Sequence, residues 1–174
     1  KIFFLARDGE IIKKCYDIIT KDIKNAPVSE YLLSSRRGFS VPSIKTEQDI
    51  LEVAHINFSS VTLKDILDKR FGLNNIVLTK DVLKLVGFSS HLEMINSNKD
   101  RDRFGELCLL IKNKIFDQAK RERETLLEYL LAKGLDGKST TFVIDIGHNG
   151  TLQKRLNTLW NVNNIHGLYF LTHE

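Results

Sequence analysis

The sequence predicts an α/β fold: a short, mostly parallel sheet with flanking helices and a large all-helical insertion that forms a cap. Three observations carry this. Short apolar runs are near-continuous rather than alternating, the pattern of strands covered on both faces of a parallel sheet. Two of these runs lead directly into helical periodicity. Residues 42–134, between the second and third runs, repeat their apolar residues at helical spacing and leave the strand–helix rhythm.

The first strand is read over Lys1-Ile2-Phe3-Phe4-Leu5-Ala6 and closes on Arg7-Asp8-Gly9. Ile11, Ile12, Cys15, Ile18 and Ile19 then recur on one helical face, and Asn25-Ala26-Pro27 ends that helix because proline disfavours helical geometry just before itself. Glu30 to Ser35 is a second strand running into Arg36-Arg37-Gly38, so the opening reads β-α-β with a parallel pair. Near the other end, Thr141 to Ile146 is a third strand. It is followed by the loop Gly147-His148-Asn149-Gly150-Thr151, a helix carrying Leu152, Leu156, Leu159 and Trp160, and a fourth strand over Gly167 to Leu171.

Within 42–134 the expected helices pass through Ile50, Leu51, Val53 and Ala54, through Leu63, Ile66, Leu67 and Phe71, and through Val82, Leu83 and Val86. Thr62 is an expected N-cap, and Gly72 and Gly87 are expected stops. From Asn98 to Ala132 the pattern predicts one long helix or two nearly collinear ones, with Phe104, Leu107, Ile111 and Ile115 buried and Gly134 as the stop. The organisation expected is therefore a sheet core, residues 1–41 and 135–174, with the helical block 42–134 inserted.

Composition narrows the function classes. The 174 residues are 42% hydrophobic with only two prolines, which excludes disordered and collagen-like chains. A formal charge of +4 is too mild for a nucleic-acid platform. No apolar run reaches the roughly 20 residues that span a bilayer, so no membrane span is expected. Cys15 and Cys108 are too few for a disulfide framework; both are read as core residues, and a reducing, cytoplasmic location is expected. The chain begins inside an apolar run and is expected to be a module of a longer protein.

The chemistry-bearing residues collect where open α/β sheets bind ligands, beyond the carboxyl ends of the strands. Arg7 and Asp8 follow the first strand, Arg36 and Arg37 the second, and Asp145 and the Gly147–Thr151 loop the third. Arg7, Arg36 and Arg37 are candidates for holding the oxygens of a small anionic ligand. Gly147, His148, Asn149, Gly150 and Thr151 form a strand-to-helix loop whose backbone N–H groups suit a phosphate or carboxylate, or form a plain turn in which Asn149 or Thr151 caps the helix. Asp8 and Asp145 are the candidate catalytic carboxylates and the candidate ligands of a magnesium ion, or are turn residues. His55, His91, His166 and His173 have no partner at metal-ligand spacing.

Three separated segments carry a family resemblance: Phe4-Leu5-Ala6-Arg7-Asp8-Gly9, Leu32-Leu33-Ser34-Ser35-Arg36-Arg37, and Val143 to Gln153. In this order they resemble the later portion of a bacterial group of predicted haloacid-dehalogenase-like hydrolases that accompany, or are fused to, glycosyltransferases of surface-polysaccharide loci. The resemblance implies a hydrolase or transferase setting with phosphorylated sugar substrates, and further domains in the same protein. That superfamily's nucleophile sits in an Asp-x-Asp-x-Thr loop, and this chain has none: Asp8 precedes Gly9, and Asp145 precedes Ile146. A looser likeness is to phosphoribosyltransferases, which also place a Gly-Thr helix start after a strand ending in Asp. A third expectation is a non-catalytic docking module for a neighbouring glycosyltransferase domain.

Overall fold

In the computed structural model of the chain, residues 1–147 and 150–171 are described. In chain order the elements are β1 (Ile2–Leu5), α1 (Gly9–Thr20), β2 (Ser29–Leu32), α2 (Arg36–Ser43), α3 (Glu47–Ala54), β3 (Val61–Thr62), α4 (Leu63–Phe71), α5 (Lys80–Leu85), β4 (Met94–Ile95), α6 (Ser97–Leu110), α7 (Lys112–Ala132), β5 (Thr141–Asp145), α8 (Thr151–Trp160) and β6 (Ile165–Tyr169). The chain divides into two compact units, one of Lys1–Ser40 with Glu124–Glu174 and one of Val41–Arg123. The second boundary lies inside α7, earlier than the expected residue 134.

The first unit holds a four-stranded parallel sheet in the order β2-β1-β5-β6. Leu5 stands opposite Leu32, Phe4 opposite Ile144, and Asp145 opposite Tyr169. From β1 the chain winds outward to β2, and from β5 it winds outward the other way to β6. The topological switch therefore falls between β1 and β5, the place where such sheets bind ligands.

One face of this sheet builds the core. Phe3, Leu5, Leu32, Val143 and Ile165 pack with Phe39 of α2, Leu130 of α7, and Leu156 and Leu159 of α8. Each buried Val, Leu or Phe there contributes about 1.5–3 kcal/mol relative to exposure. Lys133, just past α7, reaches back to Glu30 at 3.0 Å, and Lys1 donates to the Lys133 carbonyl at 2.6 Å. The Leu33 N–H donates to the Tyr129 hydroxyl at 2.7 Å, which ties the end of β2 to α7.

The opposite face is covered in part by α1. Tyr16 stacks on Phe4 with ring centroids 5.4 Å apart, and Gly9 lies against the β1 backbone. The expected apolar face of α1 exists but is not buried: Ile11 and Ile18 are 70% and 74% exposed, and Cys15 is exposed as well. Cys15 is thus no core residue, whereas Cys108 is. Period alone identifies which side of a helix is apolar, not whether anything covers it. Phe142 and Leu168, on β5 and β6, are open on the sheet.

The second unit is mostly helical, but not entirely. Val61 and Thr62 pair antiparallel with Ile95 and Met94, a two-residue ladder that corrects the all-helical expectation. Such a ladder is shorter than any period of alternation, so no pattern exposes it. The helical expectations themselves agree with the structure in detail. Thr62 accepts from the Asp65 N–H, Thr79 caps α5, and Gly72 ends α4 at φ +74°. Phe104, Leu107, Ile111 and Ile115 are all buried, and Ile111 separates α6 from α7. Two arginines lace the loops. Arg70 donates to the carbonyls of Ala54 (2.7 Å), the last residue of α3, and Ile56 (2.8 Å) beyond it, and Arg103 binds Asp100, Glu93 and the Gly87 carbonyl. No helix among the described residues is long and apolar enough to cross a membrane.

Candidate functional site

The parallel register brings the carboxyl ends of β2, β1 and β5 to one edge of the sheet, and three of the sequence-predicted segments with them. The loops after β1 and β2 are joined there. Ala6 N–H donates to the Leu32 carbonyl at 3.0 Å, and the Ser34 hydroxyl donates to the Ala6 carbonyl at 3.4 Å.

Arg7 and Asp8 leave β1 exposed to solvent. Asp8 occupies the position before α1, yet its side chain makes no capping bond. Asp8 lies in a turn, as the alternative reading expects, but among the described residues no hydrogen bond engages its carboxylate. Gly9 follows because α1 starts in contact with the strand: a Cβ there would stand 2.8 Å from the Phe4 carbonyl carbon.

Arg36 and Arg37 correct the expected loop. They form the first turn of α2, capped by Ser35, whose hydroxyl accepts the Gly38 N–H at 3.0 Å. Gly38 and Pro42 weaken the helical signal of this eight-residue element, which is why the sequence reads it as loop. Both arginines are exposed, and the first turn contains no acidic residue. Two cations at the positive end of a helix dipole oppose it, by about 0.3–1 kcal/mol each at an exposed site. An anion placed there would reverse the sign of that term.

Asp145 is the last residue of β5, beside Leu5 in β1 by continuation of the register. Its carboxylate curls over Gly147: a Cβ on that glycine would meet Oδ2 at 2.7 Å. Gly150 precedes α8 in a left-handed conformation, φ +59°, which favours glycine. Among the described residues no side chain caps α8; Thr151 is the first residue of the helix rather than its cap, and the first turn of α8 has no acidic residue. His148 and Asn149 lie outside the described residues, as does His173.

Sequence reasoning missed Tyr169 and Gln153. The Tyr169 hydroxyl donates to Gln153 Oε1 at 2.7 Å, and Gln153 Nε2 donates to the Ile165 carbonyl at 3.0 Å. Burial and then the charge of Asp145 push the Tyr169 phenol above its ordinary range. The one available signal was Gly167, two residues earlier on the same side of β6, over which the Tyr169 ring lies.

Among the described residues no group of three or more His, Cys, Asp or Glu could hold a metal ion. Asp8, in the turn after β1, and Asp145, at the end of β5, have carboxylates with no hydrogen-bond partner among the described residues and leave neighbouring strands at one end of the sheet, which fits an ion bound by one or two carboxylates together with a ligand's phosphate. A separate hollow of about 350 Å³ in the second unit is lined by Lys64, Leu67, Asn75, Val77 and His91, none of them a sequence-predicted site residue.

No protein-family model matches the chain, and no curated protein matches it either.

Proposed function

We propose that this chain is a cytoplasmic phosphate- or sugar-nucleotide-binding α/β module of a hydrolase or transferase protein in surface-polysaccharide biosynthesis, its helical block serving as a cap. The observation that carries the reading is electrostatic. Two helices, α2 and α8, begin at the carboxyl edge of one parallel sheet with no acidic residue in either first turn, and α2 begins with Arg36 and Arg37. N–H groups, dipoles and guanidinium groups there favour the same small anion. Arg7 and Arg36 or Arg37 hold its oxygens, and the Gly147–Thr151 loop donates backbone N–H groups. Asp8 and Asp145 orient a hydroxyl or hold a magnesium ion, which would neutralise phosphate charge. The family resemblance supplies the sugar setting. Because the chain has no Asp-x-Asp-x-Thr loop, phosphoryl transfer to an aspartate is not assigned to these residues.

Calorimetric titration with inorganic phosphate and a nucleoside diphosphate sugar tests this. Millimolar or tighter binding, weakened about tenfold by Arg36→Ala or Arg37→Ala, is the expected result, since a charge-assisted hydrogen bond is worth about 1.5–3 kcal/mol. Absence of binding, or indifference to both substitutions, overturns it. The docking-module reading then takes its place, and the exposure of Ile11, Ile18 and Ile19 on α1 favours that second reading.

A further inference from the structure

The strand end next to Asp145 gives the crevice a second chemistry, and this inference rests on the anion-site reading above. Asp145 and Tyr169 face each other in the β5–β6 register. Both fall in step with residues of the core-forming face, Asp145 two positions after Val143 on β5 and Tyr169 four after Ile165 on β6, so they project on the side of the sheet where α8 packs. Their polar ends lie toward Gly147 and Gly150 respectively. The carboxylate lies against Gly147, and the phenol oxygen would be 3.1 Å from a Cβ on Gly150.

The proton of Tyr169 is committed. Gln153 is oriented by its Nε2 donating to the Ile165 carbonyl, which presents Oε1 to the phenol as an acceptor. The phenol oxygen is left with lone pairs only, and an ionised carboxylate has nothing else to offer. Among the described residues no hydrogen bond occupies the Asp145 carboxylate. Burial first, and then the Asp145 charge, raise the ionisation of this phenol. The crevice is thus polarised, with guanidinium and N–H donors on the β1, β2 and α8 termini and acceptors on the β5–β6 side.

We propose that Tyr169, held by Gln153, is a specificity-determining residue that joins Asp145 in accepting a ligand hydroxyl, so that the preferred ligand is a hydroxylated phosphate ester rather than phosphate alone. The hydroxyls of such an ester can donate to both acceptors while its phosphate meets the helix termini. A site built to accept such a donor discriminates against an analogue that lacks it.

Glucose 1-phosphate, methyl phosphate and phosphoethanolamine, each titrated into the 174-residue chain, test the proposal. Wild type is expected to bind glucose 1-phosphate about tenfold more tightly than methyl phosphate, the scale of one hydrogen bond to a charged group. Tyr169→Phe should remove most of that preference and leave methyl phosphate binding unchanged. Asp145→Ala should narrow it as well, read as the ratio of the two esters' affinities, and it keeps the proposal testable if the tyrosine variant fails to fold by circular dichroism. Equal binding of the two esters, a preference that survives both substitutions, or stronger binding of phosphoethanolamine overturns the hydroxyl assignment while leaving the anion site intact. If none of the three binds, the anion-site reading falls and this inference with it.

Discussion

A Cβ placed on Gly9 would stand 2.8 Å from the carbonyl carbon of Phe4 and 3.2 Å from its Cβ. The first residue of α1 thus touches the backbone of β1, and Phe4 itself is fully buried. Neither atom can move without shifting the strand. This contact sets how closely α1 approaches the sheet, just beyond Arg7 and Asp8.

The usual sign of a helical Gly→Ala substitution should therefore reverse. Alanine is ordinarily better than glycine in a helix by about 1 kcal/mol. At Gly9 overpacking against the backbone should instead destabilise the protein by about 1–3 kcal/mol. Urea unfolding of Gly9→Ala measures it; a variant as stable as wild type would show that α1 can back away from the strand.

Alkaline titration probes the Asp145–Tyr169 pair. Burial and the Asp145 charge both hold the Tyr169 phenol protonated to higher pH than an ordinary tyrosine. Asp145→Asn removes the charge and should lower that ionisation, read from the ultraviolet tyrosinate band with Tyr169→Phe as the blank. An unchanged titration would mean that the carboxylate and the phenol do not sense each other.

Acid should act on the second unit through its Arg103 cluster. Burial pushes the Asp100 carboxyl up, but the Asn96 N–H and the Arg103 guanidinium outweigh it and hold the group below its ordinary range. Glu93 is also held down, by the Ser89 N–H and hydroxyl and by Arg103, against an opposing effect of burial. Both carboxylates are depressed on folding, so their stabilisation is complete above the unfolded values of about 4 and is lost as pH falls through the folded ones. Melting temperature should fall below about pH 4, and less steeply in Asp100→Asn, whose starting stability is lower. An identical slope in the variant would exclude Asp100 as a source.

The two thiols should separate cleanly. Cys15 is exposed on α1, whereas Cys108 is fully buried and burial drives its ionisation upward. Since the thiolate is the reactive form, a maleimide should modify one thiol in the native protein and two after denaturation. Mass spectrometry distinguishes the sites, and native labelling at Cys108 would contradict the packing of α6.

The two central strands were legible because β1 and β5 are apolar on both sides and their breaks are chemically marked. Phe3-Phe4-Leu5 and Phe142-Val143-Ile144 needed no partner to be recognised as strands, and the cap at Thr62 announced its helix. Arg7, Asp8, Arg36, Arg37 and Asp145 reach one sheet edge because strand polarity, a local property, decides which end each loop leaves from. What escaped the sequence depends on partners distant in the chain. Val61–Thr62 is a strand only because Met94–Ile95 lies beside it, and Tyr169 belongs to the site only because the register sets it opposite Asp145. The exposure of α1 was hidden for the same reason, since amphipathicity is intrinsic and cover is not.

That exposure has a consequence for local stability. Of the twelve residues in α1 only Gly9 is buried, and its remaining anchorage is Tyr16 on Phe4 and bonds near Pro27 and Ser29. An element that buries so little opens at small free-energy cost, independently of global unfolding. Backbone amides of α1 should exchange with deuterium early, while those of β1 and β5, held between neighbours and over the core, should exchange last. The sheet edge that carries Asp8 would then be bounded on one side by the slowest-exchanging strands of the chain and on the other by its fastest-exchanging helix.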